Sequence, residues 1–308
     1  MDRQTRITHV IAVAAGLAVL SGFATAGEPP GSAKPVTPWV WPQNALAAIS
    51  LTYDDGNPSQ LDATIPELDA AGFRGSFYLH IARGDMQARA AEWRAAHQRG
   101  HEMGNHTVRH AGRGEKYIKR DGRLPAWMPF PLERFTPQMI ADEVTAAAVW
   151  LDKNIGPDPD RTFAYPCNDV AIGDPPDEAS YAAAIVRHCF AARGGVDPAV
   201  NDPRTVKLLR IAAFDGDGND PAPLIAACKQ ALAFGGWTVL SFHATERVSH
   251  QALLAHLRAN RYWVAPVKTV ARYVQAVRQG KPGNVPAKAT AAAAEQAAPV
   301  GSKNSAAP

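Results

Sequence analysis

The chain has 308 residues, enough for one large domain or two small ones. Hydrophobic residues make up 46% and charged residues 20%, the balance of a folded globular protein and not of a disordered one. The formal net charge of +3 is too small and too dispersed to point to nucleic acid, and no apolar run after residue 30 is long enough to cross a bilayer.

The first residues have the pattern of an export signal. Arg3 and Arg6 give a positive start, Ile7 to Leu20 is an apolar stretch broken by Thr8, His9 and Gly16, and Ala24-Thr25-Ala26 is a small-x-small cleavage site. Residues 1–26 therefore read as a signal peptide, with an uncleaved membrane anchor as the alternative. The protein is expected in the periplasm or outside the cell, with no stable membrane span once the signal is removed. Residues 27–45, rich in Pro, Gly and Trp, form an irregular lead-in. Residues 46–279 are expected to form a single domain, and 280–308, mostly Ala, Pro, Lys and Ser, a disordered tail. Export would place Cys167, Cys189 and Cys228 in an oxidising compartment, where one disulfide can form. Their spacing is not that of a zinc site, and all three are equally readable as small buried apolar residues.

Within the domain, β-like and helix-like runs alternate. Strands are predicted over Ala47–Tyr53, Gly75–Ile81, His101–His106, Thr162–Tyr165, Cys189–Ala192, Val206–Ala213, Trp237–His243 and Tyr262–Ala265. Helices are predicted over Ser59–Ala71, where Leu61, Ile65 and Leu68 have helical spacing, and over Met86–Arg99, stopped by Gly100. A further helix starts at the cap Thr136, with Pro137 in its first position, and runs to about Asn154. Others cover Asp177–His188, Pro223–Phe234, Gln251–Asn260 and Val267–Arg278. Such alternation implies parallel strands joined by crossover helices, in a barrel or a curved open sheet whose strand C-termini carry the chemistry.

Four polar signals fall at those strand ends. Thr52-Tyr53-Asp54-Asp55-Gly56 puts two adjacent carboxylates where an apolar strand stops, and both can turn toward one cleft; the same residues also suit an ordinary turn. His106 and His110 are four apart, so one helical turn would place two imidazoles on one face, able to share a metal. His101, at the strand start, reads as structural. Arg161-Thr162-Phe163-Ala164-Tyr165-Pro166-Cys167-Asn168 is a strand broken by a proline, which can leave a backbone N–H facing a cleft or simply end in a turn. His243 ends the apolar strand Trp237–Phe242, as a general acid or as a strand cap.

In this order the motifs resemble the polysaccharide deacetylase family, also called the NodB-homology family, over roughly residues 45–275. Thr52–Gly56 matches its T-F-D-D-G element, His106–His110 its H-[ST]-x-x-H, Phe163–Asn168 its proline-containing strand end, and Leu240–His243 its L-x-H. The resemblance implies a distorted, incomplete (β/α) barrel. It implies Asp54 as catalytic base, Asp55, His106 and His110 as metal ligands, and His243 as general acid. It also implies the Cys167 backbone N–H as oxyanion donor and an acetyl pocket with Tyr165, Pro166 and Leu240. The cofactor implied is a divalent ion, zinc first, with cobalt or nickel also compatible. The substrate implied is a polysaccharide or oligosaccharide acetylated on nitrogen or oxygen, with no nucleic-acid partner.

The chain departs from the family in its third motif. Ala164 stands where the family usually has an arginine beside the base, Tyr165 replaces a proline, Cys167 an aromatic residue and Asn168 a glycine. The D-W element that usually supports that arginine is not visible, although Phe214–Gly218 lies near its place, and Arg161 is a candidate substitute. The departure leaves a second reading open, a secreted carbohydrate-binding protein weakened in catalysis. The insertion Ala111–Phe135, with Arg113, Lys116, Tyr117, Trp127 and Phe130, is either a substrate wall or a surface loop with a few anchors.

Overall fold

The longest buried strand organises the molecule. In the computed structural model, which describes residues 39–281 apart from 120, 127, 129, 174–178, 195–199 and 219, β1 spans Ala47–Asp54 and is buried throughout. Odd residues Ile49, Leu51 and Tyr53 pack outward into an apolar cluster with the surrounding helices. Even residues Ser50 and Thr52 carry hydroxyls inward, and Asp54 follows them at the strand's end. Period-two alternation along β1 thus sends its large apolar side chains outward and its polar ones inward, while Ala48 joins Trp237 and Val239 of the neighbouring strand in a second apolar cluster.

The remaining strands are β2 (Ser76–Leu79), β3 (Glu102–Asn105), β4 (Thr162–Ala164), β5 (Ala171–Ile172), β6 (Ala179–Ser180), β7 (Ala191–Arg193), β8 (Phe214–Asp215), β9 (Trp237–Phe242) and β10 (Tyr262–Val264). The main sheet runs β7-β4-β3-β2-β1-β9-β8, all parallel, with β10 also beside β1. β10 pairs with Ala47–Ile49 and β2 with Thr52–Asp54, so two short strands share one edge of β1 while β9 takes the other. β5 and β6 form a separate antiparallel pair. The sheet curls until its two ends nearly meet: Arg193 at the end of β7 bridges Ile211, three residues before β8. The result is a single-domain, incomplete (β/α) barrel, as the resemblance implies.

The helices are α1 (Ile65–Ala71), α2 (Ala90–Gln98), α3 (Pro137–Asn154), α4 (Tyr181–Ile185), α5 (Ala222–Leu232), α6 (Arg247–Ala259) and α7 (Val267–Arg278). Thr136 caps α3 by accepting from the Met139 N–H, with Pro137 at the first position, as the sequence predicts. Among the described residues no helix is long and apolar enough to cross a membrane. Trp41, at the end of the lead-in, is buried and stacks on Tyr273 of α7, so this part of the irregular segment is packed. The signal peptide, most of the lead-in, Trp127 and all of the tail beyond Lys281 lie outside the described residues.

Three expectations need correction. The predicted strand Val206–Ala213 is mostly not one. A turn closed by the Arg210 N–H on the Lys207 carbonyl breaks it, and the regular strand is the short β8 that follows. The helix predicted over Asp177–His188 shrinks to α4, because Ala179–Ser180 pairs with β5 instead. The three cysteines are all free thiols, Cys189 and Cys228 buried, so no disulfide is present.

Deep inside the barrel, Glu102 binds three elements together. It accepts from Ser76 Oγ at 2.6 Å, Thr162 Oγ1 at 2.5 Å and the Lys268 N–H at 3.0 Å, while the Val267 N–H donates to Ser76 Oγ. Glu102 and Ser76 thereby cap the first turn of α7 from the barrel floor. Tyr78 Oη donates to Thr162 Oγ1 at 2.9 Å and extends this column upward. Glu102→Ala removes the shared acceptor and leaves buried donors unsatisfied; it should cost on the order of 3 kcal/mol, read from the midpoint of urea unfolding at unchanged slope.

Candidate active site

The strand C-termini surround a cavity of about 560 Å³, within the range of pockets that hold small-molecule ligands. Asp54, Asp55, His106, His110, Tyr165, Cys167 and His243 all line it. Two expected residues do not. Leu240 is fully buried in the outer apolar cluster. Neighbours on β9 alternate between faces, so Ser241 is the strand's contribution to the cavity wall. Pro166 is buried and starts the tight turn after β4 without lining the cavity.

Asp54 ends β1, and Asp55 follows in a left-handed conformation, φ 73°, with Gly56 at φ 67°. This sharp exit from the strand brings adjacent carboxylates to one cavity. At Gly56 the positive φ is what favours glycine.

His106 and His110 converge on Asp55, but not through the helical turn their spacing suggests. Residues 106–110 form a loop with Thr107 at φ 65° and His110 at φ 54°. The loop is tied down by Glu143 of α3, which accepts from the Val108 and Arg109 N–H groups, and by Thr107 Oγ1, which accepts from the His110 N–H. His106 Nδ1 donates to the Ala164 carbonyl at 2.8 Å. A carbonyl only accepts, so the proton is on Nδ1 and the Nε2 lone pair points away from it. His106 Nε2 lies 3.6 Å and His110 Nε2 3.3 Å from Asp55 Oδ1. The three ligand atoms all fall within 4.8 Å of one another. Asp55 Oδ1 and His106 Nε2 are buried and make no hydrogen bond to the described residues. Burial and then the neighbouring His110 hold His106 well below the usual histidine range, so it is a neutral imidazole. One carboxylate and two neutral imidazoles fit a divalent cation.

The missing arginine is supplied from another strand. Arg193, at the end of β7 and almost fully buried, donates to both Asp54 carboxylate oxygens. In the sheet register its Cα partner is Ala164, the position where the family usually carries its arginine. Arg193 thus stands one strand away from that position, at the same height of the barrel. Its guanidinium carbon lies 5.2 Å from the centre of the Tyr78 ring, at the top of the buried polar column. Arg161 is not the substitute. It sits before the first residue of β4, at the far end from the cavity, and donates to the Met103 and Gly156 carbonyls and to Asp152.

His243 is half-exposed across the cavity. Asp217 accepts from both its Nδ1, at 2.6 Å, and its backbone N–H, at 2.8 Å. Thus the Phe214–Gly218 segment supports His243 and not the arginine. Asn57 and Gln60 donate to the His243 carbonyl, tying this histidine to the loop after Asp55. Cys167 stands in a left-handed conformation, φ 55°, and the turn's own hydrogen bonds use the N–H groups of Asn168 and Asp169. Of the aromatic and cationic side chains in the insertion, Tyr117 reaches the cavity, Arg113 is buried and Lys116 pairs with Asp169.

Residues 44–171 match the family profile described as polysaccharide deacetylase. No curated protein matches the chain in sequence. Among solved structures, a Mycobacterium smegmatis protein assigned as a polysaccharide deacetylase superposes with a TM-score of 0.53 at 14% identity, covering 81% of this chain and 97% of its own. A family 4 acetyl xylan esterase from Clostridium thermocellum, in complex with cobalt, gives 0.48 at 17% identity over 78% and 96%. A carbohydrate esterase family 4 pseudoenzyme from Bacillus anthracis gives 0.46 at 12% over 73% and 65%. Residues 44–171 thus carry the polysaccharide deacetylase (NodB homology) profile, and the curled parallel barrel is the fold that the chain shares with the Mycobacterium smegmatis structure.

Proposed function

We propose that the protein is a metal-dependent hydrolase that removes acetyl groups from an N- or O-acetylated carbohydrate. The observation that carries this reading is the convergence of Asp55, His106 and His110 within 4.8 Å, beside an Asp54 that is paired with Arg193. A divalent cation, zinc first and cobalt or nickel as alternatives, would be held by those three side chains and would supply a Lewis acid that polarises the acetyl carbonyl and acidifies water. Asp54 takes the proton from the attacking water. Arg193 keeps that carboxylate oriented and charge-balanced in a buried setting. The Cys167 N–H is the donor assigned to the developing oxyanion. His243 gives a proton to the leaving nitrogen or oxygen.

The second reading, a binding protein weakened by loss of its arginine, loses its motive, because Arg193 supplies the cation. Export is proposed from the Arg3/Arg6, Ile7–Leu20 and Ala24–Ala26 pattern alone, and with it a substrate outside the cytoplasm. Release of acetate from chitin oligomers, acetylated xylan and peptidoglycan fragments, with added zinc or cobalt, tests the activity. No acetate from any of them, and none from an activated acetyl ester, rejects it.

Asp55→Ala and His106→Ala should each strip the metal from the purified protein, measured by elemental analysis; full occupancy in either would remove that residue from the ligand set. Asp54→Asn should keep its metal while turnover falls about 10²- to 10⁴-fold, and wild-type turnover would exclude it as the base.

The pairing of His243 with Asp217 sets a pH window. The Asp217 hydrogen bond, against burial, raises the His243 imidazole to about 9, so it is protonated and able to donate at neutral pH. Its folded pKa lies above the ordinary value of about 6.5. The stabilisation from this pairing is therefore complete below about 6.5 and lost as pH rises through about 9. Asp217→Asn should bring the His243 titration, followed by NMR of the ring carbons, back toward about 6.5, and should move the alkaline limb of turnover down with it. An alkaline limb that stays in place would argue against His243 as the acid.

A further inference from the structure

A fourth histidine stands beside the three ligand candidates. His80 follows β2 directly, and β2 lies in the sheet between β1, which ends at Asp54, and β3, which leads into His106. It therefore emerges at the same mouth of the barrel, between the two strands that deliver the ligands. His80 lines the cavity. Its ring centre lies 5.4 Å from that of His110, with the planes at 37°, and the His106 and His110 centres are 4.6 Å apart. The three rings form one contiguous group.

The turn that carries His80 is stitched to the loop that carries the ligands. The Ile81 N–H donates to the Thr107 carbonyl at 3.2 Å and the Ala82 N–H to the Val108 carbonyl at 3.0 Å.

The ligand loop needs such support. Thr107 and His110 are non-glycine residues in the left-handed region, a strained conformation that persists only when the surroundings enforce it. Glu143 holds Val108 and Arg109 from the α3 side. The His80 turn holds Thr107 and Val108 from the β2 side, and its ring is the part that touches His110.

We propose that His80 is a positioning residue for the cation site: its ring, packed against His110 on a turn whose backbone is bonded to Thr107 and Val108, holds the His106–His110 loop in its ligating geometry. The inference rests on the deacetylase reading only in taking Asp55, His106 and His110 as ligands. It is tested on the full chain by titrating zinc or cobalt into metal-free protein against a chromophoric chelator, and by the visible absorption of the cobalt form. His80→Ala should weaken metal affinity about 10- to 100-fold, the usual effect of removing an outer partner of a metal ligand, and should alter the cobalt spectrum. His80→Phe, which restores a ring against His110, should recover most of the affinity. His80→Leu fills the space without a ring and takes the place of the alanine variant if that variant does not fold. Wild-type affinity and spectrum in the ringless variant overturn the proposal. So does a phenylalanine variant as weak as the ringless one. Wild-type protein that binds neither ion would instead sink the ligand assignment itself, which separates the two failures.

Discussion

A carboxylate buried at the end of the central strand has to be paired, and in this barrel the partner is Arg193. Both charges are largely withdrawn from water: the two side chains are 7% and 1% exposed. Leaving Asp54 alone there would cost several kcal/mol, as for any ion taken out of water without a counter-charge. The requirement reaches far down the barrel. Arg193 rests over Tyr78, Tyr78 hangs on Thr162, and Thr162 on Glu102, which caps α7. Gly104 belongs to the same column, because a Cβ there would lie 2.4 Å from the Tyr78 ring. This polar column is thus continuous from the floor to the cavity, and its top member holds the candidate base.

What could be read from the sequence was what is local. Asp54 and Asp55 sit together because they are adjacent, and a strand ending in Asp-Asp-Gly shows its turn without any tertiary knowledge. His106 and His110 were legible as a pair for the wrong geometric reason. Their spacing suggests a helical turn, yet the loop reaches the same convergence through two left-handed residues and the Glu143 clamp, which depends on α3. Leu240 was misassigned because a motif names positions and not faces; alternation along β9 gives Ser241 to the cavity and Leu240 to the outer core.

Arg193 was missed because its contact with Asp54 spans 139 residues and follows from sheet register alone. The usable signal was a charged residue ending an otherwise small, apolar strand, Ala191-Ala192-Arg193. Such a residue at a strand C-terminus points into the mouth of a barrel. Ala164 had made the site look deprived, although the height of the cation in the barrel is preserved by the Ala164–Arg193 pairing. A side chain can change strand in a parallel barrel and still serve the same point in space, since neighbouring strands present equivalent levels to one axis.

The two ion pairs at the mouth have opposite consequences, and that opposition gives the cavity its chemical direction. Arg193 balances Asp54, so the side nearer β1 presents an acceptor to a water. Asp217 balances His243 and keeps it protonated to about pH 9, so the far side presents a donor. Environments that separate a proton acceptor from a proton donor are what an acid–base hydrolysis needs. The ligand trio lies at the same mouth as both.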